Sequence, residues 1–423
     1  MGSGIQSGSG TATRLPGVVS VPRLARHLVE ELVSFLRDPG RGDPDQYEVV
    51  ETRLEGLKGV VRSIEEQLAG ATDDLRAVQH WFREATNPLF FLSGFGRRIR
   101  TWPEGHPGDC MTLEQIYRNE PSSEGIGGHL DRYLLSRTLA VAVRSRMRML
   151  SRLLRDRARV ETGRGNWLNL GCGSCRELLA LDDDSPNRTI YLVDTDRNAL
   201  EFSRNLLAGK KTGAIKFLAE NPLRFLRAER NLERFGPFST IYSAGLFDYL
   251  DDSPLARLLG GLYRSLADGG LLIASFNDKT RYDTFDYHWL SQWHFFLQRA
   301  EPDYRALLAE AGIPDQAVRM ERDDTGVILF FLITKSAAPP AAQDSGSQPA
   351  EQDLGGPVWR VDPGNQPNEE SPGHSHEEDE RILGLLDEML ATAEQVNRSI
   401  SNLCSRTAQL RTQCVSVLSE SPE

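Results

Sequence analysis

Cysteine, lysine and long apolar runs are scarce in this sequence, and each scarcity excludes something. Five cysteines (Cys110, Cys172, Cys175, Cys404 and Cys414) in 423 residues are an odd number in a long chain. They fit a reducing compartment better than a disulfide framework. The longest apolar stretches, such as residues 327–333, stop well short of the ~20 residues that cross a bilayer, so no integral membrane protein is expected. Residues 1–17 are rich in Gly, Ser and Thr, with a single Arg and no apolar h-region. They read as a flexible tail and not as a signal peptide, and a cytoplasmic location follows as the expectation. Only six of the 49 basic residues are Lys, a bias of base composition that carries no functional weight.

The net charge of −11 is unevenly spread. Residues 336–380 hold ten Asp or Glu against the single Arg360, a balance of −9 that leaves about −2 elsewhere. A broad nucleic-acid surface cannot be read from a nearly neutral folded part. At this length two or three modules are expected. Five segments follow from composition: a disordered tail (1–18), an N-terminal helical cap or substrate domain (19–160), a sheet domain (161–335), an acidic disordered linker (336–376) and a coiled-coil-like C-terminal helix (377–420).

Helical periodicity dominates the first part. Leu24, Leu28, Leu32 and Leu36 recur at helical spacing before the Asp38-Pro39-Gly40 breaker. From Val50 through Leu54, Leu57, Val61, Ile64, Leu68, Ala71, Leu75 and Val78 to Phe82 the apolar steps alternate four and three, a heptad seam whose phase Gly70 does not break. An aromatic and Gly-rich connector (87–108) and a helical run over about 127–160 follow. The C-terminal segment repeats the device, with Ile382, Met389, Val396, Leu403, Leu410 and Val417 seven apart. Pairing of these two seams, within one chain or in a homo-oligomer, is one reading. An amphipathic helix docked on its own domain is the other.

From 166 to 335 short β-branched or apolar runs alternate with helix-sized segments, which is the signature of an α/β sheet. Strands are predicted at 167–170, 189–193, 214–218, 240–243, 271–276, 318–321 and 327–334, and helices near 176–181, 199–207, 222–234, 254–266 and 302–311. The last two strands flank an Asp323-Asp324-Thr325-Gly326 turn, so a parallel sheet ending in an antiparallel hairpin is expected. The first strand runs into Gly171-Cys172-Gly173, where backbone can approach a ligand closely. Twenty-three residues after Gly171 the second strand ends in Asp194, placed to accept hydrogen bonds from ribose hydroxyls. A dinucleotide loop would carry a third Gly, but Arg176 and Glu177 follow instead. A carboxylate there would repel a pyrophosphate and suits a cofactor with a cationic amino-acid end, which points to S-adenosylmethionine.

Residues 166–335 resemble the class I S-adenosylmethionine-dependent methyltransferases. The resemblance implies a Rossmann-like seven-stranded methyltransferase sheet, here with an N-terminal helical cap and a C-terminal helix. It implies cofactor contacts at Gly171, Cys172 and Gly173, at Asp194 with Thr195, at Asn221 beside Glu220, and at Gly245 and Leu246 of the segment after strand four. The segments 105–117, 140–146 and 242–250 look closer still to a bacterial methyltransferase family whose named members take part in making the 3-hydroxypalmitic acid methyl ester signal. That likeness covers about residues 87–335, implies carboxyl O-methylation of an acyl-type acceptor, and places Arg144, or Arg146, near the cofactor carboxylate. His106 and Cys110 stand where aromatics are expected, and neither Asp283 nor Asp286 clearly matches the usual acid after strand five.

Methyl transfer to a carboxylate needs no base, whereas a hydroxyl or amine acceptor can use one. His106, Asp109 and His294 are the candidate catalytic residues, with His129 and His288 as further histidines. Tyr117, Tyr282, Trp289 and Trp293 are the candidate walls of the acceptor pocket, and packing on the sheet is the alternative role for each aromatic. Cys172 and Cys175 have metal-like spacing without a second pair, so no metal is expected. The reading is a soluble enzyme with a small-molecule acceptor, methylated on a carboxylate or hydroxyl in bacterial secondary metabolism or signal biosynthesis. A non-catalytic cofactor-binding scaffold and an RNA or protein methyltransferase are the alternatives. The Arg-rich helix 132–159 spreads its charge around its axis, which disfavours nucleic acid.

Overall fold

The computed structural model describes residues 46–161, 164–181, 187–293 and 296–336. The tail, the 20–38 helix, the acidic linker and the C-terminal heptads lie outside the described residues, as does His294. Six helices come first: α1 (Gln46–Gln67), α2 (Thr72–Phe90), α3 (Gly94–Thr101), α4 (Cys110–Arg118), α5 (Gly125–Leu135) and α6 (Thr138–Val160). The sheet region then runs β1 (Arg164–Leu170), β2 (Asn187–Asp194), α7 (Arg197–Leu206), β3 (Ala214–Ala219), α8 (Ala228–Phe235), β4 (Phe238–Ser243), α9 (Asp252–Arg264), β5 (Leu266–Asn277), α10 (Glu301–Glu310), β6 (Val318–Arg322) and β7 (Ile328–Thr334). Short 3₁₀ turns cover Arg176–Ala180 and Pro222–Leu226, and a π-helical turn covers Phe285–Leu290.

All seven predicted strands form, in one sheet of order β3-β2-β1-β4-β5-β7-β6. The first five pair in parallel, and β7 runs antiparallel between β5 and β6. Ile328 to Ile333 are all buried, because β7 has a strand on each side and cover on both faces, which is why its sequence is apolar without alternation. The strand order reverses between β1 and β4. That switch point opens a crevice beyond the carboxyl ends of the strands.

Several boundaries differ from the expectation. The heptad seam is two helices, cut where Gly70 takes φ +88. Its residues Val50, Leu54, Leu57, Val61, Ile64, Val78 and Phe82 are all buried, in a core with Leu130, Tyr133 and Trp289. The seam is therefore covered within this chain. The 127–160 run breaks at Ser136, whose Oγ donates to Tyr133 O at 2.7 Å and closes α5 before α6 starts. The connector 87–108 contains α3, capped by Ser93 accepting from Gly96 N. The segment 222–234 is a 3₁₀ turn followed by α8, and 176–181 is 3₁₀ only.

Close helix packing on the sheet side depends on Gly261 of α9. A Cβ there would lie 2.1 Å from Leu226 O, a backbone atom that cannot swing away. Gly261→Ala is expected to destabilise by about 1–3 kcal/mol, the range for overpacking a core. Urea unfolding reads it directly.

Candidate active site

A cavity of about 560 Å³ lies at the switch point, between the carboxyl ends of the strands and the cap helices. That volume is within the roughly 300–1,000 Å³ of small-molecule sites. From the sheet side it is lined by Asn169, the loop 171–175, Glu177, Asp194 to Asp196 and Ala244 to Leu246. From the other side come the 105–108 loop, residues of α4, α5 and α6, and the segment after β5.

The glycine loop is shaped by its backbone. Gly171 has φ +63 and a Cβ there would meet Leu246 Cβ at 3.0 Å, so strand ends β1 and β4 approach only because the side chain is absent. Asp194, at the end of β2, accepts from Gly173 N at 2.9 Å through Oδ2 and from Asp196 N at 3.0 Å through Oδ1. A carboxylate offers about four lone-pair positions, so each oxygen keeps one for a ligand. Burial raises the Asp194 carboxyl above its usual range, and the two backbone donors oppose that shift. Asp196 caps α7 by accepting from Asn198 N, as its sequence position implies.

Opposite the loop, α6 brings Arg146 against the backbone of Gly245, where a Cβ would stand 3.2 Å from the guanidinium. Arg146 is buried, and its Nε has no partner among the described residues. Glu177 accepts from Asn169 Nδ2 at 3.1 Å and from Tyr242 Oη at 3.2 Å. Burial pushes its carboxyl up to about 7, against these donors and the Arg146 charge. Asn169 Oδ1 is likewise buried without a donor. One side of the cavity is thus lined by an acid, an amide and a guanidinium. That set matches an amino-acid end carrying both charges, while Asp194 and the bare glycine loop suit a ribose. S-adenosylmethionine fits, and when bound it supplies a methyl group already activated on a sulfonium.

The expected site residues divide. Gly171, Cys172, Gly173, Asp194, Thr195, Gly245, Leu246, His106, Tyr117 and Trp293 all stand on the cavity wall. Six others lie off that wall. Arg144 points the other way from its helix and ties α6 to Leu135 O at 2.9 Å and Ile116 O at 3.4 Å. Asp109 is the buried cap of α4, accepting from Thr112 N and paired with Arg98 at 2.6 Å. Asn221 caps the 222–226 turn through Leu223 N at 3.0 Å. Glu220 beside it is paired with Arg234. Trp289 is buried in the cap core, edge-on to Phe82 and donating to Glu65 at 2.9 Å. Tyr282 stands behind Tyr287 and donates to Gln298 at 3.1 Å. His129 and His288 are also off the wall.

Asn169, Tyr249 and Asp286 are wall residues outside the expected catalytic and binding sets, and the wall also holds Glu177, the carboxylate beside the loop, and Arg146 of the Arg144 and Arg146 alternatives. For Arg146 a signal existed: Ala140, Val143 and Arg146 are spaced by three on one face of α6 and all line the cavity. An arginine within an apolar stripe is the one aimed inward. Trp293 donates to Tyr249 Oη at 2.6 Å, and both press on Gly108, whose Cβ would meet the indole at 2.8 Å. The 105–108 loop is thereby seated as a roof over the crevice.

Residues 168–272 match the family model described as a methyltransferase domain. The matched stretch holds β1 to β5, the glycine loop and Asp194. Fold, loop and match mark residues 168–272 as a methyltransferase domain, and the cradle described above fits S-adenosylmethionine. No curated protein matches the chain. Among solved structures the chain is similar to a possible exported protein from Bordetella parapertussis (22% identity over 54% of this chain and 80% of that one, TM-score 0.44). It is also similar to an S-adenosylmethionine-dependent methyltransferase from Clostridium acetobutylicum (12% identity, 45% and 92%, TM-score 0.32). A third similar structure is the N-methyltransferase NodS from Bradyrhizobium japonicum (18% identity, 46% and 96%, TM-score 0.31). These likenesses are distant, and none of them bears on the acceptor. No helix among the described residues is long and apolar enough to cross a membrane.

Proposed function

We propose that this enzyme methylates an oxygen, hydroxyl or carboxylate, of a small molecule held between the glycine loop and the cap helices. The observation that carries the reading is the character of the cavity beyond the cofactor residues. Phe95, Ile99, Leu134, Tyr249, Tyr287, Trp293 and Phe296 wall it, and the 105–108 loop roofs it. Apolar and aromatic walls with a few polar groups suit a small organic acceptor, whereas a nucleic-acid site would present a basic, open groove.

The chain's own residues supply position and exclusion of water, which is most of what methyl transfer asks of a protein. The Trp293 and Tyr249 pair and the loop they seat close the site. His106 lies on the wall and can take a proton from a hydroxyl acceptor. Bacterial secondary metabolism or signal biosynthesis is the proposed setting, supported by the likeness of residues 87–335 to the signal-making methyltransferases. Cys110, Cys172 and Cys175 are free thiols, which supports a reducing, cytoplasmic compartment.

The test is release of S-adenosylhomocysteine from S-adenosylmethionine in the presence of a metabolite fraction, an RNA fraction or a protein fraction. Turnover with metabolites alone is expected, and Trp293→Ala should raise the acceptor KM by about tenfold with cofactor affinity kept. Turnover with RNA or protein would overturn the small-molecule reading. Cofactor binding without any turnover would favour a scaffold.

A further inference from the structure

The carboxyl end of β5 brings one amide to the cavity with its orientation already decided. Asn277 closes the strand, lines the cavity and is 4% exposed. Its Nδ2 donates to Asp248 Oδ2 at 2.5 Å, and its backbone N donates to the same oxygen at 3.2 Å. A carboxylate oxygen that accepts a backbone N–H takes the NH2 end of an amide and not its oxygen. The flipped amide is excluded, so Oδ1 is the end turned away from Asp248.

Asp248 is itself fixed. It lies in the 3₁₀ turn Phe247–Tyr249 after β4, is fully buried, and accepts from Tyr304 Oη of α10 at 2.8 Å through Oδ1. Tyr304 Oη also lies 3.0 Å from Asn277 O, and its ring stacks on Phe276 at 4.1 Å. Leu297 N donates to Asp248 O at 2.8 Å, which ties the segment after β5 to the same residue. Burial pushes the Asp248 carboxyl up to about 6, with the Tyr304 and Asn277 donors and the Arg146 charge opposing the shift. At neutral pH it is therefore ionised and only accepts. A buried carboxylate whose donors come from three elements makes the group it holds rigid.

Asn277 Oδ1 is left over. No group among the described residues donates to it, yet it is not sealed off as the unpartnered Oδ1 atoms of Asn169 and Asp286 are. It reaches open space, and the open space beside Asn277 is the cavity. An amide oxygen accepts a hydrogen bond and cannot donate one.

We propose that Asn277 positions the methyl acceptor: its Oδ1 takes the hydrogen of an acceptor hydroxyl, and Asp248 and Tyr304 are positioning residues that keep the amide turned. This rests on the methyltransferase reading and narrows its acceptor to a hydroxyl, since a carboxylate brings no hydrogen to that oxygen. Asn277 takes no proton. A hydroxyl held by its hydrogen keeps the lone pairs of its oxygen free to meet the methyl group, which is the orientation an in-line transfer needs.

The experiment titrates the full chain, saturated with S-adenosylhomocysteine, with 2-phenylethanol and with (2-fluoroethyl)benzene. The two probes share one shape, and only the alcohol donates a hydrogen bond. Calorimetry gives the ratio of their affinities, which cancels what the common body contributes. Asn277→Ala is expected to lower the alcohol-to-fluoride ratio about fivefold, the worth of one neutral hydrogen bond. Asp248→Asn leaves Asn277 in place but frees its amide to flip, so the ratio should fall there too. A merely structural Asp248 would lower the melting temperature and leave the ratio alone, which overturns its part in the proposal. A ratio unchanged in Asn277→Ala overturns the whole, as does a parent protein that binds neither probe. The affinity for S-adenosylhomocysteine, measured first, separates the two levels: its absence sinks the cofactor reading, and its presence leaves any failure with Asn277.

Discussion

Asp194→Ala is expected to lower S-adenosylmethionine affinity by about 100-fold or more, since hydrogen bonds to a charged group contribute about 1.5–3 kcal/mol each. The side chain has two functions in the structure. It holds the glycine loop through Gly173 N at 2.9 Å and the start of α7 through Asp196 N at 3.0 Å, and it presents its remaining lone pairs to the cavity. Alanine removes both. The fold should survive, because burial already disfavours the ionised carboxyl and its loss relieves that cost. Circular dichroism and the melting curve are therefore expected to stay close to those of the parent protein while calorimetry shows binding lost. Asp194→Asn keeps one acceptor oxygen for the loop and should fall between the two. Unchanged affinity in Asp194→Ala would remove the ribose assignment.

The sheet was legible because each strand is a short β-branched or apolar run, and burial on both faces of β7 demands such a run. The cradle was legible for a similar reason. A Gly-Cys-Gly exit from one strand and an acid closing the next are fixed by backbone approach and strand register, which neighbouring residues already encode. Trp289 shows where that logic stops. Its place in an aromatic segment after β5 is equally suited to a pocket wall or a core, and Glu65, 224 residues away, decides for the core. Arg144 and Arg146 differ only in helical phase. The phase was readable from Ala140 and Val143, whereas the π-turn after β5 was not, since Arg83 and Arg100 of distant helices hold its carbonyls. The heptad seam reads as one run in the sequence because its apolar phase continues across Gly70. The left-handed backbone there ends α1 all the same, and the seam becomes the interior of the cap.

Glu177 is expected to set the pH dependence of both stability and cofactor binding, with opposite signs. Burial raises its carboxyl from an ordinary 4.5 to about 7, so the folded chain holds that proton more tightly than the unfolded chain does. The resulting stabilisation is complete below about pH 4.5 and is lost as pH rises through about 7, a change of about 3 kcal/mol from this one group. Cofactor binding runs the other way. An ammonium and a sulfonium favour the ionised carboxylate, so binding expels the proton, and affinity should climb by up to about tenfold per pH unit until it levels off above pH 7. Asp286, raised to about 6, titrates nearby but among cap residues. Glu177→Gln keeps an acceptor for Asn169 and Tyr242 and removes the titration. It should flatten both curves, leaving an affinity above pH 7 below that of the parent and a stability that no longer falls between pH 4.5 and 7. Calorimetry in buffers of different ionisation enthalpy counts the released proton, and urea unfolding across the same range reads the stability. A parent protein whose cofactor affinity is flat from pH 5.5 to 8 would show that Glu177 does not face the cationic end.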